Sequence, residues 1–203
     1  MTVHTHREQS GYTLIEILVV VGIVGILGAF AVPMFARTIA NFRLSGDARG
    51  LSNAIAVAKI RAAAKFARVR LYVDLPVNAY HLEWRDDKTD PANPHWTAEG
   101  GSTSLSYDVG FGYTPVATPP LNTQDVIGQA SDCLTDAGED IANTGCIIFN
   151  SRGVPVDTTG APNGEGAFYL EDNTAVYGVT VGATGTVHLW RTFPRATPTW
   201  VQQ

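Results

Sequence analysis

The chain is poor in the residues from which active sites are usually built. Its 203 residues include only two cysteines, Cys133 and Cys146, and five histidines. Neither cysteine belongs to a CxxC pair, and no His cluster supplies the rest of a zinc site. No GxSxG elbow, HExxH helix or Walker loop occurs, and the nearest glycine patterns, GFGY and GEGA, lack the spacing of a dinucleotide fingerprint. His81 and Glu83 form an H-x-E, but the P-C-x-x-C partner of a zinc deaminase is missing. Alternation along a strand puts these two side chains on one face, as a simple surface pair. These absences speak against an enzyme, and nothing calls for a cofactor.

Charge is missing in two places. Residues 17–36 carry none, and as a helix they would span about 30 Å, the thickness of a hydrocarbon core. Residues 173–203 carry no acid. The charges that do occur are unevenly placed in a chain of net charge −5. Residues 37–70 hold eight Lys/Arg against one acid, Asp47, whereas residues 71–203 hold five Lys/Arg against sixteen Asp/Glu. A basic stem joined to an acidic body is suited to attract further copies of itself, although ordinary solvated faces would read the same way.

The apolar run raises a second question, because Glu16 stands at its edge. A carboxylate near a membrane-helix centre costs at least about 2.5–3.5 kcal/mol. Three readings fit: a cleaved signal peptide ending at the AFA of residues 29–31, a plain signal anchor, or a short leader followed by a retained helix. The signal peptide has no use for Glu16, and the run is long for one. For the two cysteines, an exported domain implies one disulfide, worth roughly 3 kcal/mol in the chain-entropy model. A reducing compartment implies two free core thiols.

Beyond the run, Phe35, Ile39 and Phe42 recur at helical steps, and after Gly46 and Gly50 a stripe of Leu51, Ile55, Ala58 and Ala62 follows. The pattern predicts helix to about Phe66, with its outer half packed on a sheet. Predicted strands are 69–75, 80–85, 104–107, 147–150, 166–171, 176–181 and 187–191, separated by loops rich in Pro, Gly, Asp and Thr. The result is an α+β chain, one long helix leading into an antiparallel β domain without internal repeats.

The stretch SGYTLIE resembles the prepilin-peptidase site of type IV pilins and type II secretion pseudopilins. Gly11 takes the place of the last leader residue, Tyr12 that of the aromatic first mature residue and Glu16 that of the family's glutamate. Pro33 takes the place of a proline that these helices commonly carry. The resemblance implies a pilin-like fold with a leader at 1–11, a helix at 12–66 whose 14–36 segment spans the membrane, and a globular domain at 67–203. It implies cleavage after Gly11 by prepilin peptidase, N-methylation of Tyr12, and a single-pass anchor in the inner membrane with the globular domain in the periplasm. It also implies a helical filament of pilins or pseudopilins built on an inner-membrane assembly platform, with membrane lipid as the helix's other partner. There Glu16 would neutralise the terminal amine of a neighbouring subunit, a pairing without which a buried carboxylate is severely unfavourable. The chain departs from the pattern in its leader, which has a single Arg, Arg7, while Arg37, Arg43 and Arg49 follow the span. A positive-inside count alone would put the amino terminus outside; the cleavage motif, which must face a cytoplasmic protease, outweighs that count. In the family the 25–33 stretch would lose helicity in the filament; in an isolated subunit a kinked but continuous helix is the alternative.

Further on, AIAVAKIRAAAKFARVRLYV resembles the passage from helix to first strand in GspH/FimT-type minor pseudopilins. HLEWRDD, IIFNSRGVPV, GAFYLEDN and GVTVGATGTVHLWR follow in that family's order, with Phe149 to Gly153 and Gly185 to Trp190 as the most telling elements. The implied role is a minor pseudopilin near the tip of a type II secretion pseudopilus. The alternatives are a minor pilin that initiates a type IV pilus and a FimT-like DNA receptor for natural transformation. For the last, Arg191 and Arg195 among Trp190, Phe193 and Trp200 are the candidate contacts, although Thr186 and His188 stand where the DNA-binding relatives carry arginines. An acidic body repels DNA, so nucleic acid is the less favoured partner. Asp132, Asp136, Glu139 and Asp140 form the one cluster with the chemistry to hold calcium, as loops of some major pseudopilins do, but without EF-hand spacing; a solvated loop is the alternative.

Overall fold

The computed structural model describes residues 12–85 and 91–203. The 1–11 leader, with Gly11, lies outside the described residues. The chain divides into two compact units, one ending at Ile39 and the other comprising Ala40–Gln203.

Helix α1 is Leu14–Lys65 and runs through Pro33 without a break. Thr13 caps its start: its side-chain oxygen accepts the Glu16 N–H at 3.3 Å, and its carbonyl accepts those of Glu16 and Ile17. The end is closed by crossed bonds, Phe66 N–H to Ala63 O at 3.4 Å and Ala67 N–H to Ala62 O at 3.3 Å. This arrangement puts the residue after the helix in the left-handed region, and Phe66 adopts φ +52° without being glycine. The helix therefore ends one residue before the predicted limit.

Within the second unit, Leu44, Ala48, Leu51, Ile55, Ala58 and Ala62 are fully buried. Their alternating three- and four-residue steps keep them on one stripe. The predicted Leu51–Ala62 stripe thus extends back to Leu44. Phe42 points away and is 73 % exposed, so the Phe35–Ile39–Phe42 periodicity belongs to a different face of the helix.

Two five-stranded antiparallel sheets and a short ribbon follow. The first sheet contains β1 (Arg68–Asp74), β2 (Ala79–Arg85), β3 (Trp96–Ser104), β7 (Thr144–Phe149) and β8 (Pro155–Val156) in the order β3-β2-β1-β7-β8. The second contains β4 (Gly110–Phe111), β9 (Gly166–Glu171), β10 (Val176–Val181), β11 (Val187–Thr192) and β12 (Val201–Gln202) in the order β12-β11-β10-β9-β4. The ribbon pairs β5 (Cys133–Leu134) with β6 (Asp140–Ile141). The fold is α+β and consistent with a pilin-like architecture, a single long helix followed by antiparallel sheets. The strand predicted at 104–107 lies upstream instead. WTAEGGSTS has no apolar alternation, and as a largely exposed edge strand it is held by backbone pairing to β2.

One core packs the helix stripe against Val69, Leu71 and Val73 of β1, Phe149 of β7, Phe168 and Leu170 of β9, and Val179 and Val181 of β10. β10 is buried along its whole length because its other face is covered too. There Val176, with Ala167 and Tyr169 of β9, meets Val116 and Ile127 of the long loop before β5, with Tyr113 and Trp200 at the margin. Gly178 makes room for that layer, since a Cβ there would come within 2.9 Å of the Tyr169 ring. The Gln129 side chain acts as a strand surrogate at the β9 edge, accepting the Tyr169 N–H at 2.9 Å and donating to the Tyr169 carbonyl at 3.0 Å.

Lys59 joins the helix to a turn of each sheet. Its ammonium donates to Thr184 O at 3.2 Å and Gly185 O at 3.0 Å, while its stem lies against Gly153. Both glycines have positive φ, +74° and +73°, and a Cβ on Gly185 would come within 2.9 Å of the Gly153 carbonyl. The two glycine-bearing sequence elements, far apart in the chain, thus meet at one side chain. Gly185→Ala is expected to cost about 1–3 kcal/mol through the left-handed backbone and the carbonyl clash. Gly182→Ala, at a site with room for a Cβ and an ordinary φ, should cost less. Denaturant unfolding of the detergent-solubilised full chain compares the two.

Candidate functional site

The N-terminal part of α1 carries a long apolar surface that is exposed. Leu14–Ala31 is long and apolar enough to cross a membrane, with a mean hydropathy of 2.7, and none of it is buried. Covering a Leu, Ile, Val or Phe side chain is worth about 1.5–3 kcal/mol, so a surface of this kind requires lipid or another apolar partner. Glu16 occupies the first turn, the third residue after the Thr13 cap, and its side chain is exposed. There its negative charge complements the positive end of the helix dipole. Tyr12, one turn before it, is also exposed.

In the second unit, Cys133 and Cys146 form a disulfide, with Cα atoms 5.0 Å apart, that fastens the β5–β6 ribbon to β7. The same ribbon is gripped by a buried arginine that the sequence did not single out. Arg70 of β1 is 3 % exposed. Its guanidinium pairs with the Glu83 carboxylate at 2.6 Å, donates to Leu134 O of β5 at 2.7 Å and lies 4.1 Å from the Trp96 ring centre. Burial draws the Arg70 guanidinium below its ordinary pKa, and the adjacent Glu83 carboxylate opposes that shift. His81 is 3.0 Å from the other Glu83 oxygen, so the predicted surface pair is one end of a largely buried network. A lone arginine in a strand pattern gives no sign of this; only the packing of β2, β3 and the ribbon over it encloses it.

The acidic residues of the ribbon do local work. Asp132 accepts the Thr144 N–H at 3.3 Å, and Asp136 accepts the Trp96 N–H at 2.8 Å, pinning the start of β3. Glu139 and Asp140 complete the β5–β6 turn region. Among the described residues, no group of three or more His, Cys, Asp or Glu side chains is placed to hold a metal ion. The structure does not gather the four calcium candidates into a site.

The C-terminal arginines are brought together. Arg191 of β11 lies over the Tyr177 and Phe193 rings, at 5.9 and 5.4 Å, and Arg195 lies 5.7 Å from Phe193. Trp190 and Trp200 do not join them. Trp190 donates to Thr180 at 2.9 Å and Trp200 to Thr118 O at 2.9 Å, on the loop-covered side of the sheet.

Near β4, Glu171 is half-buried, with Oε2 shielded and unbonded. Burial raises its pKa, against a hydrogen bond from the Thr114 backbone.

Residues 6–32 match the family model of the prokaryotic N-terminal methylation motif. The match covers Gly11, Tyr12 and Glu16 and nearly all of the uncovered helix, and it supports a type IV pilin-like protein. No curated protein and no solved structure matches the chain.

Two predictions follow from these side chains. Arg70→Met strands the buried Glu83 charge and is expected to cost about 3–5 kcal/mol, much of it recovered in Arg70→Met/Glu83→Gln, as read by denaturant unfolding. Glu171, with its pKa raised in the folded state, favours folding most when protonated and loses that contribution as pH rises through its folded pKa. Glu171→Gln should therefore raise the melting midpoint at pH 7 relative to wild type, with the difference shrinking as the pH falls through the carboxylate range.

Proposed function

We propose that the chain is a minor pseudopilin of the GspH/FimT type, a structural subunit incorporated near the tip of a type II secretion pseudopilus. The observation that carries the reading is the coincidence of the methylation motif with a helical segment, Leu14–Ala31, none of which is covered by the rest of the fold. A helix of this kind rests in lipid before assembly and packs on neighbouring pilins or pseudopilins afterwards.

In this reading prepilin peptidase removes residues 1–11 and Tyr12 becomes the methylated amino terminus of an inner-membrane protein with its sheets in the periplasm. The disulfide agrees with an oxidising compartment. Glu16 then has a function that lies outside its own chain. Left unpaired in an apolar filament core it would be strongly unfavourable, and beside the Tyr12 amine of a neighbour it is satisfied, so it discriminates a correctly docked subunit from a misplaced one. Protein secretion is the activity that this assembly would serve. A minor pilin of a type IV pilus shares every one of these features and differs in the genes beside it.

Intact-mass measurement of membrane-extracted protein should show loss of residues 1–11 and gain of one methyl group; a chain beginning at Val32 would establish the released signal peptide instead. Glu16→Ala should insert and fold normally but co-purify poorly with its partner pilins. Recovery of those partners at the wild-type level would remove the docking role.

A further inference from the structure

The disulfide presents its two sulfurs unequally. Cys133 is fully buried, whereas Cys146 is partly exposed. Along β7, Ile147 and Phe149 belong to the core, so Cys146 and Ile148, which alternate with them, point to the other face of the sheet. A cavity of about 400 Å³ lies on that face, with Cys146 and Ile148 in its wall and Cys133 outside it. A reagent that enters this cavity meets the Cys146 side of the bond.

The wall carries charge of one sign. Asp125, Asp132, Asp157 and Glu165 line the cavity, and no Lys or Arg does. β1 sets Arg70 beside Ile148 in register, but its charge is answered by Glu83 at 2.6 Å. Asp132 and Asp157 accept backbone N–H groups. Asp125 and Glu165 are exposed, and their charges can be removed without breaking bonds of that kind. These acids share their cavity with the chain's one disulfide.

Thiol–disulfide exchange is carried out by a thiolate, itself an anion. A cavity lined by one sign of charge raises or lowers the local concentration of whatever ion approaches it. We propose that the cavity is a charge gate on exchange at Cys146: a thiol carried beside a positive charge reaches the sulfur, and one carried beside a negative charge is turned away. In the step itself the incoming thiolate forms a bond to Cys146 Sγ and the Cys146–Cys133 bond breaks. Its electron pair leaves on Cys133 Sγ, which takes up a proton from water. A second thiol of the reductant then attacks the incoming sulfur of the mixed disulfide, releasing Cys146 as a thiolate and oxidising the reductant to its own disulfide. Cleavage leaves the β5–β6 ribbon held by hydrogen bonds such as those of Arg70 to Leu134 O and of Trp96 N–H to Asp136. The exchange partner that fits this gate is a dithiol protein with basic side chains beside its attacking cysteine. The gate concerns a bond within one copy and does not depend on the filament reading.

The test uses the oxidised full chain in non-ionic detergent at low salt, with reduction followed by alkylation and intact mass. Cationic 2-mercaptoethylamine and anionic mercaptoacetate are compared at equal thiolate concentration, each rate divided by that on uncharged bis(2-hydroxyethyl) disulfide. The cationic thiol should be favoured about tenfold, as a cavity potential of a few kT gives. The preference should fall towards unity in 1 M salt, where the screening length is about 3 Å. Asp125→Asn/Glu165→Gln should lower it several-fold with the unfolding midpoint unchanged. Equal relative rates at low salt, or a preference indifferent to salt or to the double substitution, overturn the proposal. So does a rate that is the same for both thiols and stops rising with their concentration, because the ribbon must then open before the bond is reached. A bond that neither thiol reduces without denaturant overturns it as well.

Discussion

A helix that must be covered on its outside governs this molecule. The stripe from Leu44 to Ala62 is buried by the chain's own sheets, whereas Leu14–Ala31 is covered by nothing in the fold. The first fact explains why the globular unit begins at Ala40, inside the helix. The second explains why the protein requires a partner of apolar character, which a bilayer supplies to a single copy and further copies supply to an assembly. The match to the methylation motif overlaps the uncovered segment, whose one acid is Glu16.

The globular unit is fastened at a few specific side chains. Lys59 draws two turns from different sheets onto one helical position, and Arg70 ties β1, β2, β3 and the ribbon together through an ion pair, a ring and a carbonyl. The disulfide fastens the same ribbon independently. A ribbon of two-residue strands has little apolar area of its own, so polar and covalent fastenings replace packing there. On the far side of the second sheet, the loop layer around Val116, Ile127 and Trp200 does for β10 what a second helix would do in a larger domain.

Charge is distributed along the unit rather than balanced within it. The acids of the 124–165 region and the arginines at 191 and 195 occupy different parts of the unit, and among the described residues neither arginine has a carboxylate within ion-pair distance. An asymmetry of that kind contributes little to the stability of an isolated domain and much to the orientation in which domains meet.

The local periodicities were legible in the sequence: the apolar segment, the stripe at Leu51, Ile55, Ala58 and Ala62, and the strands at 166–171 and 176–181 follow from patterns that a helix or strand imposes on its own residues. The sequence also determined the type of the N-terminal segment, because the methylation motif is a contiguous string recognised before folding matters. Tertiary structure alone decided the rest. It placed β3 in a polar stretch with no strand pattern, because an edge strand is held by its neighbour's backbone. It turned Arg70 from an ordinary strand residue into a buried hub, because β2, β3 and the more distant ribbon converge on it. It turned Asp132 and Asp136 onto the backbone N–H groups of Thr144 and Trp96, and it brought Gly153 and Gly185 to one lysine. Spacing along a chain fixes which face a residue occupies; which faces meet depends on how the sheets close over the helix.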